Sequence, residues 1–380
     1  MEKIILCLTG GATGGHLYPL VNVSKVFKSI MEEKRWSYEI FYLGAKPFDE
    51  DILKINGIDV FTIPSAKIRR YFDFRNILDI FKFPFGFLKA FWILYIKMPN
   101  VIFSKGGYGS LEVVLAAWIL RIPILIHESD TIPGRSNRIA GLFATRIAIS
   151  FEKAKKYFNS KKTALVGHPI DPDFDEIKPD EEIYRKFNLE KNMKTILILG
   201  GSQGAMKIND VVIFSLDKLL NLGQVVHQIG KNMIKEYEQI ARGFILENIP
   251  TKKNYYHPVD FIDHLDLIKL LKISDIVISR AGAGAIFEIA AAGVPSILIP
   301  IRENVVGRHQ IENAYEYAHT GAAVVIEEQN FTPDIFSSVL KRILNDKETL
   351  EFMKKSALEF SKKDAAKLIA EELVFLSVKE

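Results

Sequence analysis

The residues of this chain best suited to chemistry are a few ionisable and amide side chains, and the glycine turns beside them. His16 closes onto the glycine-rich run Gly10–Gly15, and His127-Glu128-Ser129-Asp130 ends a second apolar segment. A histidine titrates ordinarily at ~6.5, so neutral imidazole is available as a base near neutrality, and a carboxylate nearby could orient or assist it. Glu288 is the only charged residue between Ala281 and Ile301. A carboxylate in so apolar a segment needs a partner, either a ligand hydroxyl or the neighbouring Arg280. His309-Gln310 and Asn313 open a helical segment after the run ending near Ile301, where they either meet a ligand or cap and solvate the helix.

Four turns are rich in glycine: Gly10–Gly15, Gly106–Ser110, Gly200–Gly204 and Ala281–Ala285. Glycine lets an anion approach the backbone, and a following helix presents unpaired N–H groups and partial positive charge. One such turn is ordinary in a doubly wound sheet. Four in one chain, two of them at matching positions in its halves, point to anion binding. A nicotinamide dinucleotide is a poor fit, because neither Gly10–Gly15 nor Gly200–Ala205 has glycine at the third position. The phosphate-loop pattern fails too, since no Lys-Ser or Lys-Thr follows either loop.

These turns are placed by short apolar runs that read as strands over 4–8, 40–43, 60–63, 101–104, 122–127 and 146–150, and again over 195–199, 224–229, 275–279, 296–301 and 323–326. Between them lie helical spacings such as Leu17, Leu20, Val23, Phe27 and Ile30. The alternation predicts parallel sheets covered on both faces. The pattern breaks in a proline-rich, acidic stretch after Gly167 and then restarts, with Leu6–Gly15 and Leu197–Ala205 each reading apolar strand, glycine turn, helix. The expectation is an α/β fold of two Rossmann-like, doubly wound domains facing a cleft, with ligands outside the carboxyl ends of the strands. The domains are placed at 1–167 and 168–359, with a last helix over about 360–380 packing back on the first.

Composition narrows the class. Hydrophobic residues at 48% and charged residues at 25% exclude a disordered or collagen-like chain. A net charge of +4 is too small to argue for nucleic acid. The single cysteine, Cys7, cannot form an internal disulfide, which suits a reducing cytoplasm. The first apolar run is too short for a signal-peptide core, and no stretch of about 20 uncharged apolar residues predicts a membrane-spanning helix. Charge is nevertheless concentrated. From Lys67 to Lys97, seven basic residues (Lys67, Arg69, Arg70, Arg75, Lys82, Lys89, Lys97) face two acidic ones, interleaved with ten aromatic residues that include Phe85, Trp92 and Tyr95. That mixture reads as an anchor on an anionic membrane surface, or as a buried helix with a basic edge; no nucleic-acid motif accompanies it.

Six ordered blocks carry a resemblance: Thr9–His16 (TGGATGGH), Lys105–Ser110 (KGGYGS), His127–Asn137 (HESDTIPGRSN), Leu199–Ala205 (LGGSQGA), Ser279–Ala292 (SRAGAGAIFEIAAA) and Arg308–Ala314 (RHQIENA). Together they resemble the MurG family, the N-acetylglucosaminyltransferases of peptidoglycan synthesis. The resemblance implies a GT-B glycosyltransferase that moves N-acetylglucosamine from UDP-N-acetylglucosamine (UDP-GlcNAc) to lipid I, the undecaprenyl-pyrophosphoryl-N-acetylmuramoyl-pentapeptide. Lipid II is formed by an inverting transfer that makes a β-1,4 bond, at the cytoplasmic face of the bacterial membrane and in the service of cell-wall growth and division. It further implies that the first domain meets the acceptor and the second holds the donor. Thr13, Gly14 and Gly15 would line the cleft, with Asp130 also near the substrates. Ser202 would contact the donor phosphates, Ile262 would read uracil through its backbone, and Ala283, Gly284, Ala285, Ile286, Phe287 and Glu288 would wrap the nucleoside. Glu288 would accept from both ribose hydroxyls, and Gln310 and Asn313 would bind the sugar. The chain departs from the family pattern at three places: Asp130 stands where many relatives have asparagine, although a branch of the family carries the same His-Glu-Ser-Asp, Asp171 replaces an expected arginine, and Ala285 a common serine or threonine.

The expected base is His16, assisted by Glu128 or Asp130, with the departing UDP stabilised at the helix after Ser202. No cofactor and no metal are expected; Asp171-Pro172-Asp173 matches a metal-binding Asp-x-Asp pattern but reads as linker acidity. Two other functions stay open on the residues: a UDP-GlcNAc 2-epimerase, and a sugar-nucleotide-binding protein without turnover.

Overall fold

The computed structural model describes residues 3–11, 13–65, 75–201, 204–302 and 308–378, with the backbone alone over 75–81. The chain divides into two units, Met1–Pro172 with Lys362–Glu380, and Asp173–Ser361.

Unit 1 is built on seven parallel strands: β1 (Ile4–Thr9), β2 (Tyr38–Gly44), β3 (Asp59–Thr62), β4 (Val101–Ser104), β5 (Ile124–Glu128), β6 (Arg146–Ile149) and β7 (Thr163–Leu165). Their order in the sheet is β3-β2-β1-β4-β5-β6-β7. Central β1 pairs on both sides, Cys7 lying opposite Phe41 of β2 and Ile102 of β4. All three residues are fully buried, which is why these strands are runs of apolar residues without polar alternation. The helix Gly14–Glu33 buries Leu17, Leu20, Phe27 and Met31, spaced to share one face. The carboxyl-terminal helix Ala365–Val378 packs against it and buries Ile369 and Leu373 in the same core. Each such side chain contributes ~1.5–3 kcal/mol, and together with Ala366, Ala370, Val374 and Leu376 they seat the chain's last helix on the unit formed by its beginning.

Unit 2 has six parallel strands: β8 (Thr195–Leu199), β9 (Gln224–Gln228), β10 (Tyr256–Val259), β11 (Ile276–Ser279), β12 (Ser296–Leu298) and β13 (Ala323–Val325). The order β10-β9-β8-β11-β12-β13 repeats the winding of unit 1. In each sheet the direction of winding reverses beside the first strand, between β1 and β4 and between β8 and β11. Doubly wound sheets bind ligands at that reversal, outside the strand ends.

Two strands differ from the expectation, which had neither β7 nor β10. Both are sheet edges. β7 is three residues long and partly exposed, and β10 carries His257 and Pro258, a composition that only an edge tolerates. No helix among the described residues is long and apolar enough to cross a membrane.

Candidate active site

In unit 1 the polar residues collect at the carboxyl ends of β1, β4 and β5, three neighbouring strands. The turn after β1 and the turn after β4 pack backbone on backbone: Lys105 N donates to Thr9 O at 2.9 Å. Gly10, at φ +115°, leaves room for this, since a Cβ there would stand 2.8 Å from the Gly106 carbonyl oxygen. The Tyr42 hydroxyl, donating to the Gly10 carbonyl, pins the loop from below.

His16 lies in the first turn of the Gly14–Glu33 helix, half-buried, above the second glycine turn: a Cβ on Gly107 would be 3.7 Å from its Cε1 and Nδ1. Its Nδ1 pairs with Thr13 Oγ1 at 2.9 Å. When Nδ1–H donates to Thr13, Nε2 keeps a lone pair, which is the tautomer a base needs. Loss of hydration, with the Lys105 ammonium second, lowers its pKa to about 4. Gly15 is open, with no atom within 4 Å of where a Cβ would stand.

Glu128, at the end of β5 and buried, is filled with donors. Oε1 accepts from Asp130 N at 2.9 Å, and Oε2 accepts from Gly134 N at 3.2 Å and from Asn137 Nδ2 at 3.0 Å. Burial, with the Asp130 carboxylate second, pushes its carboxyl above the usual range, while the donors and the Lys105 ammonium oppose that rise. Glu128 is therefore engaged as the scaffold of its own turn, and Asp130, half-buried, stands at that turn's outer end. His127 beneath it is fully buried and donates Nε2–H to the Gly167 carbonyl at 2.9 Å. Its ring lies 5.8 Å from that of His168. Burial first, then Lys105, keeps both histidines neutral. The structure thus brings together Thr13, Gly14, Gly15, His16, Glu128 and Asp130, and adds two residues that the sequence reading did not place in a site, Lys105 and Asn137. A lysine directly after an apolar strand and before a glycine turn is the signal that could have found the first.

In unit 2 the turn after β8 contains Gly200 and Gly204, and Ser202 lies outside the described residues. The next helix, Met206–Ile213, is tied to the sheet through a buried network. Asn209 Nδ2 donates to the Ile229 carbonyl at 3.2 Å, so its Oδ1 faces His227 Nε2, also at 3.2 Å. Nε2 must then carry the proton, and Nδ1 accepts from the Tyr256 hydroxyl at 2.9 Å.

The helix Ala283–Ala292 starts just after β11. Ala283, Ile286 and Phe287 bury their side chains within unit 2, whereas Gly284, Ala285 and Glu288 are half-buried on the other side. The Arg280 guanidinium, the structural alternative for Glu288, donates to Glu328 at 2.6 Å and to the Ile299 carbonyl at 3.1 Å. The Ile262 side chain is buried in a cluster with Ile183 and Leu199. On the His309–Ala318 helix, Gln310 Oε1 accepts from Ile301 N at 3.2 Å and buried Asn313 donates to the Ala281 carbonyl at 3.4 Å, so this face of the helix braces the segments that follow β11 and β12. Asp171, where the resemblance expects arginine, belongs to unit 1: it is buried and accepts from Lys25 Nζ at 3.1 Å.

Comparison with known proteins gives the same organisation. Residues 5–149 match the glycosyltransferase family 28 N-terminal domain and residues 195–369 match its C-terminal domain. A relative from Treponema denticola is 34% identical over 383 residues, covering 96% of each chain. One from Clostridium perfringens is 36% identical over 359 residues, covering 94% of this chain and 95% of its own. Both are named UDP-N-acetylglucosamine–N-acetylmuramyl-(pentapeptide) pyrophosphoryl-undecaprenol N-acetylglucosamine transferase. Among solved structures, Acinetobacter baumannii MurG aligns with a TM-score of 0.74 at 22% identity, over 98% of this chain and all of its own. UDP-GlcNAc 2-epimerase from Neisseria meningitidis, bound to UDP-GlcNAc, aligns at 0.68 with 14% identity and the same coverage. At those identities the two structures speak to fold.

Proposed function

Given that the chain belongs to glycosyltransferase family 28, with its two Rossmann-like units forming the GT-B fold, we propose that it transfers N-acetylglucosamine from UDP-GlcNAc to lipid I, yielding lipid II. The observation that carries this reading is 34–36% identity to transferases of that name over nearly the whole chain. The epimerase shares the fold at 14% identity and has no comparable likeness in sequence.

In this reading unit 1 handles the acceptor. His16 Nε2 takes the proton from the C4 hydroxyl of the N-acetylmuramoyl sugar as its oxygen attacks the anomeric carbon of the donor. The bond from that carbon to the β-phosphate oxygen breaks, and its electron pair leaves with UDP, inverting the centre. Thr13 accepts from Nδ1–H in the tautomer a base needs, and Glu128 shapes the turn that presents Asp130. Unit 2 holds the donor. The amino end of the Met206–Ile213 helix and Ser202 take the diphosphate, Glu288 the ribose hydroxyls, the Ile262 backbone the uracil, and Gln310 and Asn313 the sugar.

The enzyme reaches its lipid acceptor, on this account, as a peripheral protein on an anionic membrane surface. The helices Arg75–Lys97, Ser110–Ile119 and Arg135–Phe143 pack in succession along one face of unit 1. They leave Phe85, Trp92, Ile96, Trp118 and Leu142 exposed, the last at 75%. Lys89 is exposed among them. Lys67, Arg69, Arg70 and the side chain of Arg75 lie outside the described residues. Apolar and aromatic groups beside basic ones suit the interfacial layer, where each cation near an anionic surface adds ~1 kcal/mol.

The test is UDP release from UDP-GlcNAc with and without lipid I. Release that depends on lipid I supports the transferase. Release without it, or binding without release, supports the epimerase or the non-catalytic reading.

A further inference from the structure

Unit 1 buries a cation beside the candidate base. Lys105 follows β4 directly and is 1% exposed, in a class of side chain that seldom gives up its water. Its Nζ donates to Ser129 Oγ, a neutral partner, on the turn between Glu128 and Asp130. Two residues further on, the same segment supplies Gly107, the surface over which the His16 ring lies. One short stretch of backbone therefore carries both a desolvated ammonium and the seat of the imidazole, and its head group ties that stretch to the acidic turn after β5.

We propose that Lys105 is a positioning residue for the transfer: its ammonium anchors the Ser129 turn and presents a positive charge to His16. The proposal rests on the reading of His16 as the base. Three consequences follow from the geometry. A positive charge beside the imidazole disfavours the imidazolium, so His16 enters each cycle unprotonated and ready to accept. The same ammonium lies within electrostatic reach of Glu128 and Asp130, so it draws the acidic turn after β5 toward the turn after β4. The bond to Ser129 fixes the distance between the β4 and β5 turns on which these groups sit. The pKa of His16 agrees in sign, since Lys105 is the second cause of its lowering after loss of hydration. The other titratable groups facing this pair are His127 and His168 from below, and Glu128 and Asp130 across the Ser129 turn.

The experiment is to follow the titration of the His16 ring by nuclear magnetic resonance in the full chain, for wild type, Lys105→Met, Lys105→Gln and Lys105→Arg, and to measure kcat/KM against pH for each. Methionine keeps the volume without the charge, glutamine keeps a donor for Ser129, and arginine keeps the charge. The His16 midpoint should rise by about one pH unit or more in the methionine and glutamine variants and stay near wild type with arginine. The acid limb of kcat/KM should move by the same amount. An unchanged His16 midpoint in the folded glutamine variant overturns the proposal. So does a raised KM for lipid I with the limb unmoved, which would make Lys105 a substrate contact. A midpoint that moves while the limb stays supports the action of Lys105 on His16 and refutes His16 as the base, so the two failures are distinguishable.

Discussion

If His16 is the base, its surroundings dictate where activity falls off in acid. At pH 5.5 a histidine of ordinary pKa ~6.5 is about 9% neutral, whereas one held at about 4 is about 97% neutral. Because kcat/KM reports the free enzyme, protonation of His16 should reduce it by less than about 1.2-fold between pH 8 and 5.5, against about elevenfold for an unperturbed histidine. The limb in kcat should lie at higher pH, because two substrates that each carry a diphosphate bring negative charge toward the imidazole and favour its protonated form. Initial rates of UDP release at low and at saturating lipid I, from pH 5 to 8, separate the two quantities, with circular dichroism at each pH to monitor the fold. His16→Ala should lower kcat by ~10²–10⁴-fold at neutral pH with little change in UDP affinity. A wild-type limb in kcat/KM near 6.5 would refute the desolvated base. Retention of most turnover by His16→Ala, with chemistry rate-limiting, would move the role to Glu128, Asp130 or water.

Glu288→Gln should weaken UDP binding by about tenfold, the loss of a charge-assisted hydrogen bond of ~1.5 kcal/mol, without changing the melting temperature; unchanged affinity by calorimetry would remove the ribose role. Replacing Arg69, Arg70 and Arg75 with glutamate should reduce binding to anionic vesicles and leave the residual binding less sensitive to salt, and unchanged binding at low salt would rule out this stretch as the electrostatic anchor. Burial lowers the pKa of His227 to about 3, so the folded chain binds fewer protons than the unfolded one once pH drops below ~6.5. Its contribution is intact above ~6.5 and is lost as pH falls toward 3, about 2 kcal/mol of unfolding free energy between pH 7.5 and 5; His227→Gln should flatten that slope, and an unchanged slope would assign the loss to other groups.

What was legible in the sequence follows from what each residue's neighbours in the chain can reveal. Central strands such as β1, β4 and β8 are buried on both faces, so their apolar runs announce them, and the glycines after them mark the turns. β7 and β10 were illegible because edge strands need neither length nor apolar runs. Partners distant along the chain were illegible for another reason. Nothing near Arg280 indicates that its guanidinium goes to Glu328, or that Asp171 is held by Lys25, because tertiary packing makes those pairs. Lys105 was visible as a letter in a motif, but that its ammonium is buried depends on three strands closing around it. The motif residues around His16 and Glu128 could be found by type and spacing, whereas the engagement of Glu128 by three donors could be seen only in space.

The most direct test of the central claim is the structure of the product. Incubated with UDP-GlcNAc and lipid I in anionic vesicles, the full chain should release one UDP for each disaccharide formed, and the anomeric proton of the new sugar should show a β linkage to C4 of the N-acetylmuramoyl residue. Free N-acetylmannosamine, free N-acetylglucosamine, or an α linkage on the lipid would contradict the account.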